Sequence, residues 1–116
     1  MPFDGRDPDA AITALLREVR EGLSQPGAWC RYQVHIGRGA HCLLGWIGNV
    51  VREQPGPVNE VELWGAMALR LFDALPQSSR PAQVSRLTQM QTALWRYNDA
   101  HTQRTVVRLL DRAIEG

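Results

Sequence analysis

The sequence predicts a mainly α-helical fold, a compact bundle of about five helices with one short strand-like arm or hairpin near residues 29–40. Two observations carry this prediction. Apolar residues recur with helical spacing along most of the chain, and breaks rich in Pro and Gly divide it into segments of helix length. Hydrophobic residues make up 44% and charged residues 22% of the 116 residues, as in ordinary globular domains. We therefore expect residues 1–116 to form one globular domain.

The first helix is expected to follow Asp7, whose side chain can cap it, with Pro8 and Asp9 in its first turn. Its buried face is predicted by the spacing of five apolar residues, namely Ile12, Leu15, Leu16, Val19 and Leu23. A Ser-Gln-Pro-Gly break ends it at 24–27. Residues 29–36 then alternate as a strand would, before a Gly-Arg-Gly turn. This segment is either one arm of a hairpin or an extended loop laid across the helices.

A second helix is expected from about His41 to Glu53, opening on Cys42. Its buried residues are predicted to be Leu43, Leu44, Ile47, Val50 and Val51. Gly45 and Gly48 share one side of this helix, where another backbone can approach closely.

Three further helices are predicted in the second half of the chain. Asn59 and Glu62 have the capping-box spacing, and an apolar stripe follows at Leu63, Trp64, Met67, Ala68, Leu71, Phe72 and Leu75. A fourth helix is expected to start at Pro81 and to bury Val84, Leu87, Met90, Leu94 and Trp95. A polar link at 97–102 then precedes a helix capped by Thr102, which buries Val106, Leu109, Leu110, Ala113 and Ile114.

The charged residues exclude several mechanisms. All 13 basic residues are Arg, so a lysine Schiff base, a pyridoxal-phosphate anchor and a Walker-type lysine are ruled out. A net charge of +1 does not by itself indicate nucleic-acid binding. No apolar run approaches the ~20 residues of a membrane span, and the acidic N-terminus does not resemble a signal peptide. We expect a cytoplasmic protein without a membrane segment or cofactor.

Cys42 is the candidate nucleophile, because a thiol at a helix N-terminus is favoured as the thiolate. His101 or His35 can serve as its base, with Asn98 or Asp99 orienting the imidazole. A packed core thiol is the other interpretation of Cys42. The spacing of Cys30, His35, His41 and Cys42 does not match a zinc pattern, so no metal site is predicted.

Two short motifs resemble a known family. The helix opening Cys42-Leu43-Leu44-Gly45 and the pair Asn98-Asp99 before a Thr-capped C-terminal helix resemble a family of small uncharacterised domains from GC-rich bacteria and their phages. In this chain, Gln103, Arg104 and Thr105 stand where that family usually has acidic residues. The resemblance implies no activity.

The preferred functional interpretation is a non-enzymatic protein-interaction or accessory module that binds another protein or a second copy of itself. The expected binding surface is a corner where Trp29, His41 and Trp46 meet Asn98 and Asp99. A small thiol-dependent hydrolase or acyl-transferase using Cys42, His101 and Asp99 is the alternative. A third hypothesis is nucleic-acid binding, because three arginines form one stripe on the last helix, at Arg104, Arg108 and Arg112.

Overall fold

The computed structural model describes residues 8–31, 35–36, 40–56, 59–80 and 87–116. Within these ranges the chain forms five α-helices, which are α1 (Pro8–Leu23), α2 (Leu43–Arg52), α3 (Glu60–Ala74), α4 (Leu87–Ala100) and α5 (Gln103–Glu115). Two short strands, β1 (His35–Ile36) and β2 (Ala40–His41), lie between α1 and α2, and a 3-10 turn spans Gln77–Ser79. The predicted mainly α-helical fold is confirmed. None of the described helices is both long enough and apolar enough to cross a membrane.

The side chains of the residues just before α2, α3 and α5 accept hydrogen bonds from backbone N–H groups in the first turns of these helices. Asn59 accepts from the Glu62 N–H at 3.0 Å, and Thr102 accepts from the Thr105 N–H at 3.3 Å. Each bond satisfies one of the amide donors that the start of a helix leaves without a partner. Both predicted caps are therefore confirmed, whereas the predicted cap Asp7 lies outside the described residues.

The core forms where α1 packs against α2 and α5, and where α3 packs against α4 and α5. The predicted face of α1 is buried along its whole length, as are most of the apolar positions predicted for α2, α3 and α5. Core side chains that are 0% exposed come from every helix, including Leu16, Ile47, Met67, Leu94 and Leu109. Helical spacing therefore identified the core face of four helices.

The segment before α2 forms a small hairpin. His35 pairs with His41 and Ile36 with Ala40 in an antiparallel ladder. On its other side, β2 pairs with the segment that follows α1. The His41 N–H donates to the Ala28 carbonyl at 3.0 Å, and the Cys30 N–H donates to the His41 carbonyl at 3.3 Å. The hairpin interpretation is thus confirmed, while residues 32–34 and 37–39 lie outside the described ranges.

Helix α2 begins two residues later than predicted, because the backbone of His41 is used in β2 and Cys42 takes the cap position. Helix α4 differs more. It continues through the predicted link as far as Ala100, and Trp95, predicted to be buried, is 50% exposed. The buried face of α4 instead runs through Leu94, Tyr97 and Asn98, at helical spacing, which leaves Trp95 on the flank. The predicted start at Pro81 and the predicted core residue Val84 lie outside the described residues.

Candidate functional site

Asn98 is the centre of the predicted corner, and its side chain is 0% exposed. Its Oδ1 accepts hydrogen bonds from the indole N–H of Trp29 at 2.7 Å and from the backbone N–H of Leu43 at 3.0 Å. Its Nδ2 donates to the Cys30 carbonyl at 3.1 Å and to Oδ1 of Asp99 at 3.2 Å. One amide therefore joins α4 to the loop before β1 and to the start of α2.

A second set of contacts holds the end of α4 against the same loop. The guanidinium of Arg31 donates to the His101 carbonyl through Nη2 at 2.6 Å and Nε at 3.1 Å. Its Cζ also lies 5.2 Å from the centroid of the Trp29 ring, within the range of a cation–π contact. Cys42, at the start of α2, and the polar residues at the end of α4 therefore lie close together, as the predicted corner requires.

Trp29 and Trp46 belong to the predicted binding corner, and the structure shows both indoles engaged in contacts within the chain. Trp29 donates to Asn98, and the Trp46 Nε1–H donates to the Ala28 carbonyl at 2.7 Å. The Trp46 ring also meets the His41 ring edge-on, with the centroids 5.1 Å apart. Both side chains are half-buried and fix the arm to the helices.

Cys42 is buried, with 2% of its surface exposed, and its Sγ accepts a hydrogen bond from the Gly45 N–H at 3.4 Å. Burial raises the pKa of this thiol, and the hydrogen bonds from the start of α2 oppose the rise without cancelling it. The negative charge of Asp99 raises the same pKa further. The expectation of a stabilised thiolate is therefore wrong, because loss of solvent outweighs the helix N-terminus.

His101 and Asp99, the other predicted members of a catalytic set, are held by neighbours of their own. The His101 Nδ1–H donates to the Tyr97 carbonyl at 2.8 Å, and the imidazole stacks on the Tyr97 ring with centroids 4.0 Å apart. Asp99 accepts from Asn98 and raises the pKa of the Cys30 thiol as well as that of Cys42, although burial is the larger cause for both. A carboxylate beside two buried thiols favours their neutral forms.

No group of three or more His, Cys, Asp or Glu side chains suited to a metal ion occurs in the described part of the chain. Cys30 and Cys42 are both buried free thiols. Arg104, Arg108 and Arg112 are all exposed on α5, as a surface stripe requires.

Next to the corner is an open groove of about 780 Å³, which we call the tryptophan groove. It runs between α2, α3 and α4, and its main lining residues are His41, Leu44, Arg52, Trp64, Gln91 and Trp95. A smaller depression of about 320 Å³, lined by Glu60 and Val61, shares Arg52, Trp64 and Gln91 with it. Val61 is 73% and Trp95 50% exposed. The tryptophan groove thus exposes the Trp95 ring to solvent, and the smaller depression exposes Val61.

Sequence reasoning missed this groove because it assigned Trp64 and Trp95 to the core. Leu94 and Trp95 lie about 100° apart around a helix, and their spacing alone does not show which of the two faces the core. Of the predicted binding residues, His41 lines the tryptophan groove, whereas Asn98 is buried behind it.

Comparison with known proteins identifies a family. Residues 7–116 match the model of a family described as Family of unknown function (DUF6197). No curated protein and no solved structure matches the chain.

Proposed function

The chain belongs to this family of unknown function, and from that premise we propose that it is a non-enzymatic interaction domain that binds a partner protein through the tryptophan groove. The exposure of Trp95 carries the proposal. Half of the surface of a large aromatic side chain faces solvent in a groove that also contains Trp64 and Leu44. Exposed aromatic surface of this kind is enriched where proteins bind one another.

The charges of the groove indicate the chemistry of the partner. Arg52 is exposed at the junction of the two depressions, and His41 lies at the corner end. Among the described residues, no acidic side chain lines the larger depression. We therefore assign to the groove a segment of another protein with a large apolar side chain, which packs on Trp64 and Trp95, and a carboxylate, which pairs with Arg52.

The corner supports this surface from behind. Asn98 and the indoles of Trp29 and Trp46 hold His41 and the start of α2 in place, so one wall of the groove is rigid before a partner arrives. A preformed wall lowers the ordering cost of association. A cytoplasmic accessory role belongs to the same proposal and accords with two free buried thiols.

Site-specific photo-crosslinking in the source cells tests the proposal. A photoreactive phenylalanine analogue replaces Trp95 in one strain and the exposed Arg108 of α5 in a control strain. We expect one distinct protein to be linked at position 95 and not at position 108. Adducts that are equal at both positions, or absent at both, overturn the proposal. An adduct with a second copy of this chain shows that the groove forms a homodimer interface and does not bind a different protein.

Affinity measured with the purified partner provides the second test. Trp95→Ala and Arg52→Ala are each expected to weaken the Kd by about tenfold or more, the usual effect of removing a central interface residue. Arg108→Ala is the matched control and is expected to leave the Kd unchanged. Equal affinity of all three variants contradicts the assignment of the groove.

A further inference from the structure

A second cavity, of about 640 Å³, borders α4 next to the tryptophan groove, and Thr88 and Thr92 line both depressions. Its other walls come from the 3-10 turn, from the second half of α4 and from the residue that follows α4. We call it the arginine cavity after its lining residues Arg80 and Arg96, which stand with Ser78, Ser79, Tyr97 and His101.

The arginine cavity carries only positive formal charge. No acidic side chain lines it among the described residues, and neither Arg80 nor Arg96 forms an ion pair with them. Residues 78–98 contain three arginines and no Asp or Glu, and Asp99, which lies between two lining residues in the sequence, does not itself line the cavity. Two guanidinium groups without a carboxylate partner in one concave site are suited to an anionic ligand.

Arg80 provides an independent observation. Its Nε is shielded from solvent and has no hydrogen-bond partner among the described residues. A buried N–H of a charged group costs free energy when its hydrogen bond is not made. This cost is removed when an acceptor reaches the Nε–H, and an anion that draws the Arg80 guanidinium towards the cavity supplies one.

The neutral polar groups around the arginines are also donors. Ser78, Ser79 and Thr88 bring hydroxyl groups to the cavity wall. The Thr92 hydroxyl is used elsewhere, since it donates to the Thr88 carbonyl at 2.9 Å. Because the Nδ1–H of His101 is bound to the Tyr97 carbonyl, only the other ring nitrogen of His101 can face a ligand.

The size of the cavity indicates more than a free ion. Small-molecule sites commonly measure about 300–1,000 Å³, and the arginine cavity falls within this range. Ala93, Ala100 and the Tyr97–His101 ring pair add apolar wall next to the charged groups. We propose that the arginine cavity binds a small molecule carrying a phosphate group, with Arg80 and Arg96 holding the phosphate. This inference does not depend on the protein partner proposed above.

Isothermal titration calorimetry of the full chain tests the proposal with inorganic phosphate, ribose 5-phosphate and adenosine monophosphate as probes. Saturable binding is expected for all three, and the tighter of the two organic probes shows whether a sugar or a base fills the rest of the cavity. Succinate, a dicarboxylate, is expected to bind more weakly. The absence of saturable binding by any phosphate, or succinate binding as tightly, overturns the proposal.

Three variants with the same change of charge locate the site. Arg80→Gln and Arg96→Gln are each expected to weaken the Kd for the best phosphate probe by about tenfold or more, because each removes a charge-assisted hydrogen bond. Arg108→Gln, on the exposed face of α5, is expected to leave that Kd unchanged. An equal loss in all three variants indicates diffuse attraction and contradicts the site.

Thermal unfolding separates ligand binding from a structural role of Arg80. Without ligand, Arg80→Gln is expected to keep or raise the Tm of the wild type, since it removes a buried N–H that has no hydrogen-bond partner within the described residues. With saturating phosphate, the rise in Tm seen for the wild type is expected to vanish. If the ligand-free variant has a lower Tm and phosphate still raises its Tm as much as that of the wild type, Arg80 stabilises the fold and does not bind the phosphate. Arg96 is exposed, so the Arg96→Gln variant tests the cavity independently of folding.

Discussion

The Oδ1 atom of Asn98 lies 3.0 Å from the backbone nitrogen of Leu43, so a side chain near the end of α4 accepts the first N–H of α2. The start of α2 is therefore satisfied from two directions, by the Cys42 Sγ from within its own segment and by Asn98 across the fold. Because the Trp29 indole donates to the same oxygen, the position of the arm and the start of α2 depend on one amide.

Replacing Asn98 by Ala is expected to lower the free energy of unfolding by about 3 kcal/mol or more. The change leaves the Leu43 N–H, the Trp29 indole N–H and the Cys30 carbonyl without their bonds to the amide. Urea denaturation followed by circular dichroism measures the effect. Asn49→Ala is the control, since within the described part of the chain the Asn49 side chain accepts only a long contact of 3.5 Å from Arg52. It is expected to change stability by about 0.5 kcal/mol or less. Similar losses for both variants contradict the central role of Asn98.

Cys42 is expected to resist alkylation in the folded protein. Its exposed fraction of 2% blocks access, and its raised pKa lowers the thiolate fraction at neutral pH. Iodoacetamide labelling at about pH 7.5, with peptide mass spectrometry to assign Cys30 and Cys42, is expected to be slow in buffer and fast in denaturant. Rapid modification of Cys42 in the folded chain, lost in His101→Ala, supports the thiol-enzyme alternative instead.

The raised pKa of Cys42 also predicts how the free energy of unfolding depends on pH. The folded pKa of Cys42 is raised, so the native state retains the thiol proton more strongly than the unfolded chain does. This contribution is fully present below the unfolded pKa of about 8.5 and is lost as the pH rises through the folded value. Cys42→Ser removes the titrating group and keeps a cap that accepts from Gly45. The stability of the variant relative to the wild type is expected to increase from about pH 8 to about pH 10. A constant difference across this range contradicts the raised pKa.

Two residues of α4 show which features of the fold the sequence can predict and which it cannot. The burial of Leu94 was predicted because helical spacing is a local property of the sequence. Asn98 was assigned to a polar link, and its buried position has no local signal, since its partners Trp29, Cys30 and Leu43 lie 55 to 69 positions away in the chain. Spacing alone also could not place Trp95, because one residue corresponds to about 100° of rotation around a helix. Similarly, Gly48 was expected to meet another backbone, whereas a Cβ built on Gly48 meets the Arg52 side chain of the same helix at 3.3 Å.

Gly22 is the glycine at which the close approach occurs. The Trp46 ring lies against it, and a Cβ built at this position is 2.7 Å from Cη2 and 3.0 Å from Cε3 of that ring. The ring has little freedom to retreat, because its Nε1–H is bonded to the Ala28 carbonyl and its edge contacts His41. Gly65 provides a contrast within α3, since a Cβ there meets no atom of the described residues within 4 Å apart from the backbone of its own helix.

Gly22→Ala is therefore expected to destabilise the protein by about 1–3 kcal/mol through overpacking, although alanine is the better helix former. Gly65→Ala is expected to stabilise it by about 0.5–1 kcal/mol, since only the helix propensity changes. Urea denaturation of both variants measures the difference. In a Trp46→Ala background the clash is absent, so Gly22→Ala is expected to become neutral or stabilising. If Gly22→Ala costs the same with and without the Trp46 ring, the packing of that ring on α1 is not the reason for the glycine.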